Sequence, residues 1–403
     1  MKKTYLLLSL SLLFLTVFSQ KWFQMSDFPG SQRSRTSGFS IEDKGYLLFG
    51  KAGSQEFKEL YEYNPSNDSW IMKSSFPGVG RYNAFAFDID SFAYAGGGYN
   101  GSSSVYDFYQ YNPKTDTWSL RMPYPGSDAV ANIAVGLNGK GYVGGGTTVN
   151  STPSSLEFYE YNPQSNIWTA KANLPFGART GAITFTLNNL IFAGLGHNGG
   201  TNFNDLWAYN PVNNSWTQKA SFPGASRIQS SVFIIDGKAV VGGGHQFSNS
   251  TPFLDYYIYD LFTNSWSPLV QLVAGPSNST GADFTVNNVG YLACGYDSTL
   301  GDTKMFWALK PVPTSIIKKS ITKNNMVVYP NPSSGVLNIK SIHNVEIVSS
   351  LAIYSQEGKL VYSKLNFKPN EESINIETLN NGTYFITIRT NEKVFNEKVI
   401  LLK

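Results

Sequence analysis

Four arginines stand at one recurring place in this sequence. Arg35, Arg81, Arg179 and Arg227 each lie 15 residues before the first glycine of a short glycine-bearing run, at Gly50, Gly96, Gly194 and Gly242, while the same count from Gly144 and Gly295 reaches Ala129 and Thr280. A guanidinium offers planar, paired donors, so several converging on one opening would suit a carboxylate, sulfate or phosphate. A second periodic set competes for them: six residues before the proline of "YNP", or its counterpart, stand Glu59, Asp107, Glu157, Asp205, Asp255 and Met305. A buried arginine needs a partner, so pairing of most arginines with these acids is the favoured expectation, and binding of a ligand by those left free is the alternative. The third repeat has Glu157 but Ala129, so the pairing cannot be strict within every repeat.

Two of the three histidines also recur. His197 in "GLGHNGG" and His245 in "GGGHQF" follow their glycine runs by the same step, and either could serve as a general base, a ligand contact or a metal ligand. Two histidines without a third convergent group do not make a metal site, and no metal or cofactor is expected. Tyr99 and Asn100, in the loop "GGGYNGSSS", and the loop "TTVNSTPSS" add aromatic and hydrogen-bonding surface. The single cysteine, Cys294 in "GYLACGY", sits in an apolar segment with no histidine nearby in sequence, which reads as an inert core thiol. No phosphate loop, nucleophile motif or metal-binding helix motif is present.

The elements that hold these residues follow a tryptophan spacing: Trp22, Trp70, Trp118, Trp168, Trp216 and Trp266 are separated by 48, 48, 50, 48 and 50 residues. Each interval repeats one order: an alternating segment such as "AITFTLN", a glycine-ended segment such as "FAYAGGG", a third such as "FYEYNP", then a polar turn and the tryptophan segment. That is four short antiparallel strands per repeat, in a chain with 15% aromatics, 37 glycines and only 15% charged residues. The last repeat has three strands and lacks the fourth, whereas the segment around Trp22 has only the fourth, so the two complete each other and six blades are expected.

This pattern resembles the kelch repeat of β-propellers over roughly residues 20–311, with clean glycine runs at Gly96 to Gly98, Gly144 to Gly146 and Gly242 to Gly244. The resemblance implies an all-β fold, a six-bladed kelch propeller, with ligands bound at one mouth of its central channel. Residues 312–325 read as a linker. Residues 326–403, with "VVYPNPSSGVLNI", "IYSQEGKLV", "INIETLNNGTYFITI" and "KVILLK", resemble the C-terminal sorting domain of type IX secretion cargo and are expected to form a small β-sandwich. That resemblance implies a Bacteroidetes protein exported through the type IX machinery, which would engage residues 326–403 and deliver the cargo to the medium or the outer-membrane surface.

Residues 1–19, with Lys2 and Lys3 before an apolar run, read as a cleaved secretory signal, too short for a stable membrane span. A net charge of +3 with scattered basic residues argues against nucleic acid as a partner. Two functions from different classes fit: a non-catalytic exported binding protein that holds a glycan or protein at the channel mouth through Arg35, Arg81, Arg179, Arg227, Tyr99, Asn100, His197 and His245, or an enzyme like the six-bladed bacterial kelch mutarotases that interconvert sialic acid anomers, with His197 and His245 as catalytic candidates. A structural adhesin component is a third.

Overall fold

The computed structural model describes residues 20–147, 155–248, 252–269, 278–311, 326–341, 348–355, 360–370, 372–390 and 394–403. The expected signal segment, the linker and most of the loop "TTVNSTPSS" lie outside these residues. The chain divides into two compact units, Met1–Thr314 and Ser315–Lys403.

The first unit is a ring of six four-stranded antiparallel sheets. The first blade runs outward from the channel as Ser37–Ile41, Lys44–Leu48, Leu60–Asn64 and Ser69–Lys73, and the next four repeat that order. The sixth combines Ala282–Val286, Val289–Ala293 and Phe306–Pro311 with Gln20–Gln24, whose register sets Trp22 opposite Leu309. The ring therefore closes through strands from its two ends, as the sequence pattern requires. Innermost strands alternate between buried and half-buried residues, because one side packs and the other faces the channel; second strands such as "KGYLL" are buried almost throughout, because blades cover both faces. The cores are wedges between blades: Phe39, Tyr46 and Leu48 of the first blade pack with Ala93, Ala95 and Tyr111 of the second.

The repeated polar turn carries the outer lock between blades. Asp68, Asp116, Asn166, Asn214 and Asn264 all take left-handed φ between 46° and 55°, which short polar side chains tolerate. Each accepts the hydroxyl of the tyrosine five residues earlier, from Tyr111 to Asp116 at 2.7 Å and from Tyr209 to Asn214 at 2.8 Å, for example. Each also accepts a backbone N–H from the preceding blade, such as Ser74 to Asp116 at 2.9 Å and Ala172 to Asn214 at 2.8 Å. In the second to fifth blades the following tryptophan donates Nε1–H back to the carbonyl of that same segment, as Trp118 does to Ser74 and Trp216 to Ala172; Trp70 of the first blade does not. The turn is thus a two-way clasp.

The glycine runs answer to backbone conformation more than to crowding at the axis. The two residues after the second strand are left-handed in all six blades: Phe49 and Gly50, Gly97 and Gly98, Gly145 and Gly146, Leu195 and Gly196, Gly243 and Gly244, Cys294 and Gly295. The glycine before them, where present, meets the third strand of its own blade; a Cβ on Gly96 would stand 2.4 Å from the Asp107 carbonyl. Gly97 also admits the neighbouring blade, at the Ala129 carbonyl, and on the innermost strand Gly38 does so against Asp283.

The second unit is a β-sandwich. Met326–Tyr329, Val336–Ser341 and Ser373–Asn375 form one sheet; Leu360–Phe367, Val348–Ser355, Gly382–Arg389 and Val394–Leu401 form the other. Leu337, Ile339, Leu351, Ile353, Ile386 and Leu401 fill the space between them.

Candidate functional site

Strand register separates the arginines into two kinds. Leu48 holds the second-strand position taken by Gly96 in the next blade, pairing with Leu60 as Gly96 pairs with Phe108. Gly50 therefore corresponds to Gly98, and the member of the arginine ring in the first blade is Arg33, not Arg35. Arg33, Arg81, Arg179 and Arg227 are 1, 0, 3 and 0% exposed. Arg81 donates to both oxygens of Asp107 at 2.5 and 3.0 Å and to the Gly97 carbonyl at 2.9 Å, with its guanidinium over the rings of Phe49 and Phe76. Arg227 holds Asp255 at 2.7 and 2.9 Å, Arg179 holds Asp205 at 2.5 and 3.3 Å, and Arg33 reaches Glu59 at 3.2 Å. Arg81, Arg179 and Arg227 are thus corrected from ligand contacts to buried clamps, each with both terminal guanidinium nitrogens bonded inside the wall.

The third blade solves the missing arginine differently. Glu157 accepts the N–H and hydroxyl of Ser127 at 2.7 and 3.0 Å, and Asn132 Nδ2 donates to the Gly145 carbonyl at 2.6 Å, the bond that Arg81 makes to Gly97. A short amide and a serine replace one guanidinium.

Arg35 belongs to another ring, two residues further along. Arg35, Asn83, Ala131, Gly181, Gln229 and Thr280, one per blade, all have φ between 49° and 64°. Backbone bonds link neighbouring members at four of the six seams: Arg35 N–H to Thr280 at 2.7 Å, Asn83 to Arg35 at 3.2 Å, Ala131 to Asn83 at 2.8 Å and Gln229 to Gly181 at 2.8 Å. This collar narrows the mouth. Above it stands a rim, made by the residue after each left-handed pair: Lys51, Tyr99, Thr147, His197, His245 and Tyr296. Each rim residue bridges the residue just before a collar position, as Lys51 does with Ser34 and His245 with Ile228.

One side of this mouth is hollow. A cavity of about 400 Å³ is lined by collar residues Arg35, Gln229 and Thr280 and rim residues Lys51, His245 and Tyr296 of the first, fifth and sixth blades, with Ser34, Gly53 and Asp302. Arg35 is exposed, and among the described residues neither it nor Lys51 forms an ion pair. Both cations lean on one aromatic ring: the Arg35 guanidinium lies 5.3 Å and Lys51 Nζ 4.7 Å from the centre of Tyr82, which stands edge-on to Tyr99 at 5.4 Å. Cation–π contact lets two like charges share a small region without a carboxylate between them.

The histidines part company. His245 lines the cavity, with no partner for Nδ1; burial first, then the Arg35 cation and His197, lower its pKa below the usual imidazole value. His197 is 8% exposed and packs against Phe247 with ring centres 3.9 Å apart, outside the cavity lining. Burial lowers its pKa too, so both favour the neutral imidazole. Asn100 turns its side-chain oxygen onto the N–H groups of Ser102 and Ser103, which makes it a loop former, while Tyr99 acts by supporting Tyr82. Cys294 is buried, and burial raises its thiol pKa. Lys51, Tyr82, Tyr296, Gln229 and Asp302 were not singled out from sequence; the single step past the last glycine of each run would have found the rim.

Below the collar the channel continues as a space of about 580 Å³ bounded by the six innermost strands, with Asp88 and Asp283 as the ionisable residues of its lining. Burial lifts both carboxyls to about 6. Among the described residues, no group of three His, Cys, Asp or Glu is arranged to hold a metal ion, and no helix is long and apolar enough to cross a membrane.

Comparison with known proteins bears on this architecture. Residues 130–315 match a KLHDC2/KLHL20/DRC7 kelch-repeats domain, residues 94–123 a kelch motif, and residues 327–402 a secretion system C-terminal sorting domain. Among solved structures, one described as "Structure of YjhT" superimposes with a TM-score of 0.60 at 17% identity, over 72% of this chain and 98% of that one, a likeness of fold. No match appears among curated proteins.

Proposed function

Because the chain is a kelch β-propeller followed by a type IX secretion sorting domain, and is therefore secreted or displayed at the cell surface, we propose that it is an exported binding protein whose mouth cavity holds an anionic ligand, in the first instance an acidic glycan. The observation that carries this is the pair Arg35 and Lys51: the cavity's two cations lack a carboxylate partner among the described residues, whereas the periodic arginines are all paired. A cavity of about 400 Å³ suits one or two sugar units, and the neighbouring tyrosine faces and Gln229 suit their rings and hydroxyls. Calorimetric titration with glucuronate-bearing and neutral oligosaccharides is the test. Arg35→Ala is expected to weaken the acidic ligand about tenfold, the size of a lost charge-assisted hydrogen bond; equal binding of neutral and acidic sugars would remove the proposal. Cleavage of residues 1–19 and of the sorting tail, leaving the propeller in the medium or on the outer membrane, belongs to the same reading.

His245 in the same cavity favours a second, enzymatic reading. A neutral imidazole is a competent base near pH 7, Arg35 would anchor a carboxylate, and anomer interconversion needs little more than that. Equilibration of sialic acid anomers followed by NMR tests it: acceleration that disappears in His245→Gln supports a mutarotase, and an unchanged rate removes it.

A further inference from the structure

The mouth cavity is polarised across the seam between the sixth and first blades. Its cations, Arg35 and Lys51, come from the first blade. Its carboxylate, Asp302, comes from the sixth, and Asp283 of the same blade lines the narrow space of about 190 Å³ under the collar together with Arg35, Gln229 and Thr280. Opposite charges thus border the mouth cavity, and Arg35, Gln229 and Thr280 line both spaces, yet among the described residues no oxygen of Asp302 or Asp283 lies within ion-pair reach of either cation. Asp283 is held in place by accepting the Val232 N–H at 2.7 Å, so its position is set by the wall and not by a counter-ion. Elsewhere in this propeller, arginine and carboxylate facing each other meet at 2.5 to 3.3 Å. Here cations and carboxylates line one cavity wall without meeting.

We propose that the ligand of this cavity is zwitterionic: an anionic group bound by Arg35 and Lys51 on the first blade, and a protonated amine directed to Asp302, with Asp283 beneath it, on the sixth. This rests on the anion-binding reading above and adds to it the second charge. A plain acidic sugar would satisfy only half of the site and leave the Asp302 carboxylate facing the ligand's own negative charge. An amine on the same skeleton converts that repulsion into a charge-assisted bond.

The experiment compares two probes that differ only at the nitrogen, muramic acid with its free amine and N-acetylmuramic acid, titrated into the intact protein at pH 7. The expected result is binding of both, with muramic acid favoured about tenfold, the scale of one charge-assisted hydrogen bond. Asp302→Asn is expected to abolish that preference while leaving N-acetylmuramic acid unchanged or slightly tighter, and Arg35→Ala to weaken both probes together. Asp302 lies on an edge hairpin outside the blade cores, and a thermal melt of the variant verifies folding; Asp283→Asn, which can still accept the Val232 N–H, gives an independent reduction of the preference. Equal binding of the two probes to the unaltered protein overturns the zwitterion inference and leaves the anion reading standing. Binding of neither probe, nor of glucuronate, overturns both.

Discussion

Arg33 and Arg35 stand two residues apart and belong to different proteins in effect. The first is enclosed in the wall, locked to Glu59, Phe49 and Ser31, and has counterparts in three other blades. The second is exposed on the collar, where its counterparts are Asn83, Ala131, Gly181, Gln229 and Thr280. Periodicity marks what every blade needs in order to join its neighbours. A binding site on a ring must instead break the symmetry, so its residues are found where equivalent positions disagree.

The largest way to test that contrast is Arg81→Ala. It leaves the Gly97 carbonyl without its buried donor and half-buried Asp107 without its counter-ion, and a loss of about 3 kcal/mol in chemical denaturation is expected. The clasp comes next: Asn214→Ala removes the acceptor of both the Tyr209 hydroxyl and the Ala172 N–H, and should cost about 1–3 kcal/mol. If Asn214→Ala proves as mild as an exposed substitution, the outer turn is not a lock.

A smaller effect is read against pH. Asp88 has its folded carboxyl raised from 3.8 to about 6 by burial, so the folded chain binds that proton more tightly than the unfolded one. Its penalty is absent below about pH 4, grows as pH rises to about 6 and is then constant. Asp88→Asn should therefore raise the melting temperature relative to the parent at pH 8 and leave it unchanged at pH 4; the same gain at both would show that the carboxyl is not held by burial. Smallest of all is Arg35→Ala, expected within about 0.5 kcal/mol of the parent in stability while it alters ligand binding. A large loss of stability there would erase the distinction between collar and wall.

Much of this was legible before the fold. The tryptophan spacing gave the blades and the incomplete last repeat gave their closure. The acids spaced 26 residues after Arg81 and Arg179 foretold the clamps. The error in the first blade came from counting from a glycine: in "LFGKA" the conformation demands glycine only at the second left-handed residue, Gly50, and Phe49 and Leu48 fill the places of two others. The Arg33 to Glu59 spacing, also 26, was the available signal. The cavity itself could not be read, because Arg35, His245 and Asp302 come from three blades and become neighbours only when the ring shuts.

That shutting has a kinetic side. Trp22 pairs with Leu309, a separation of 309 − 22 = 287 residues, while the other strand pairs of the blades are hairpin neighbours or join strands within one repeat. Local pairs form early and distant ones late. The mouth therefore takes its final form only once residues 307–311 are available to pair with the first strand, so a chain that stops short of them holds an open arc of blades and no closed ring.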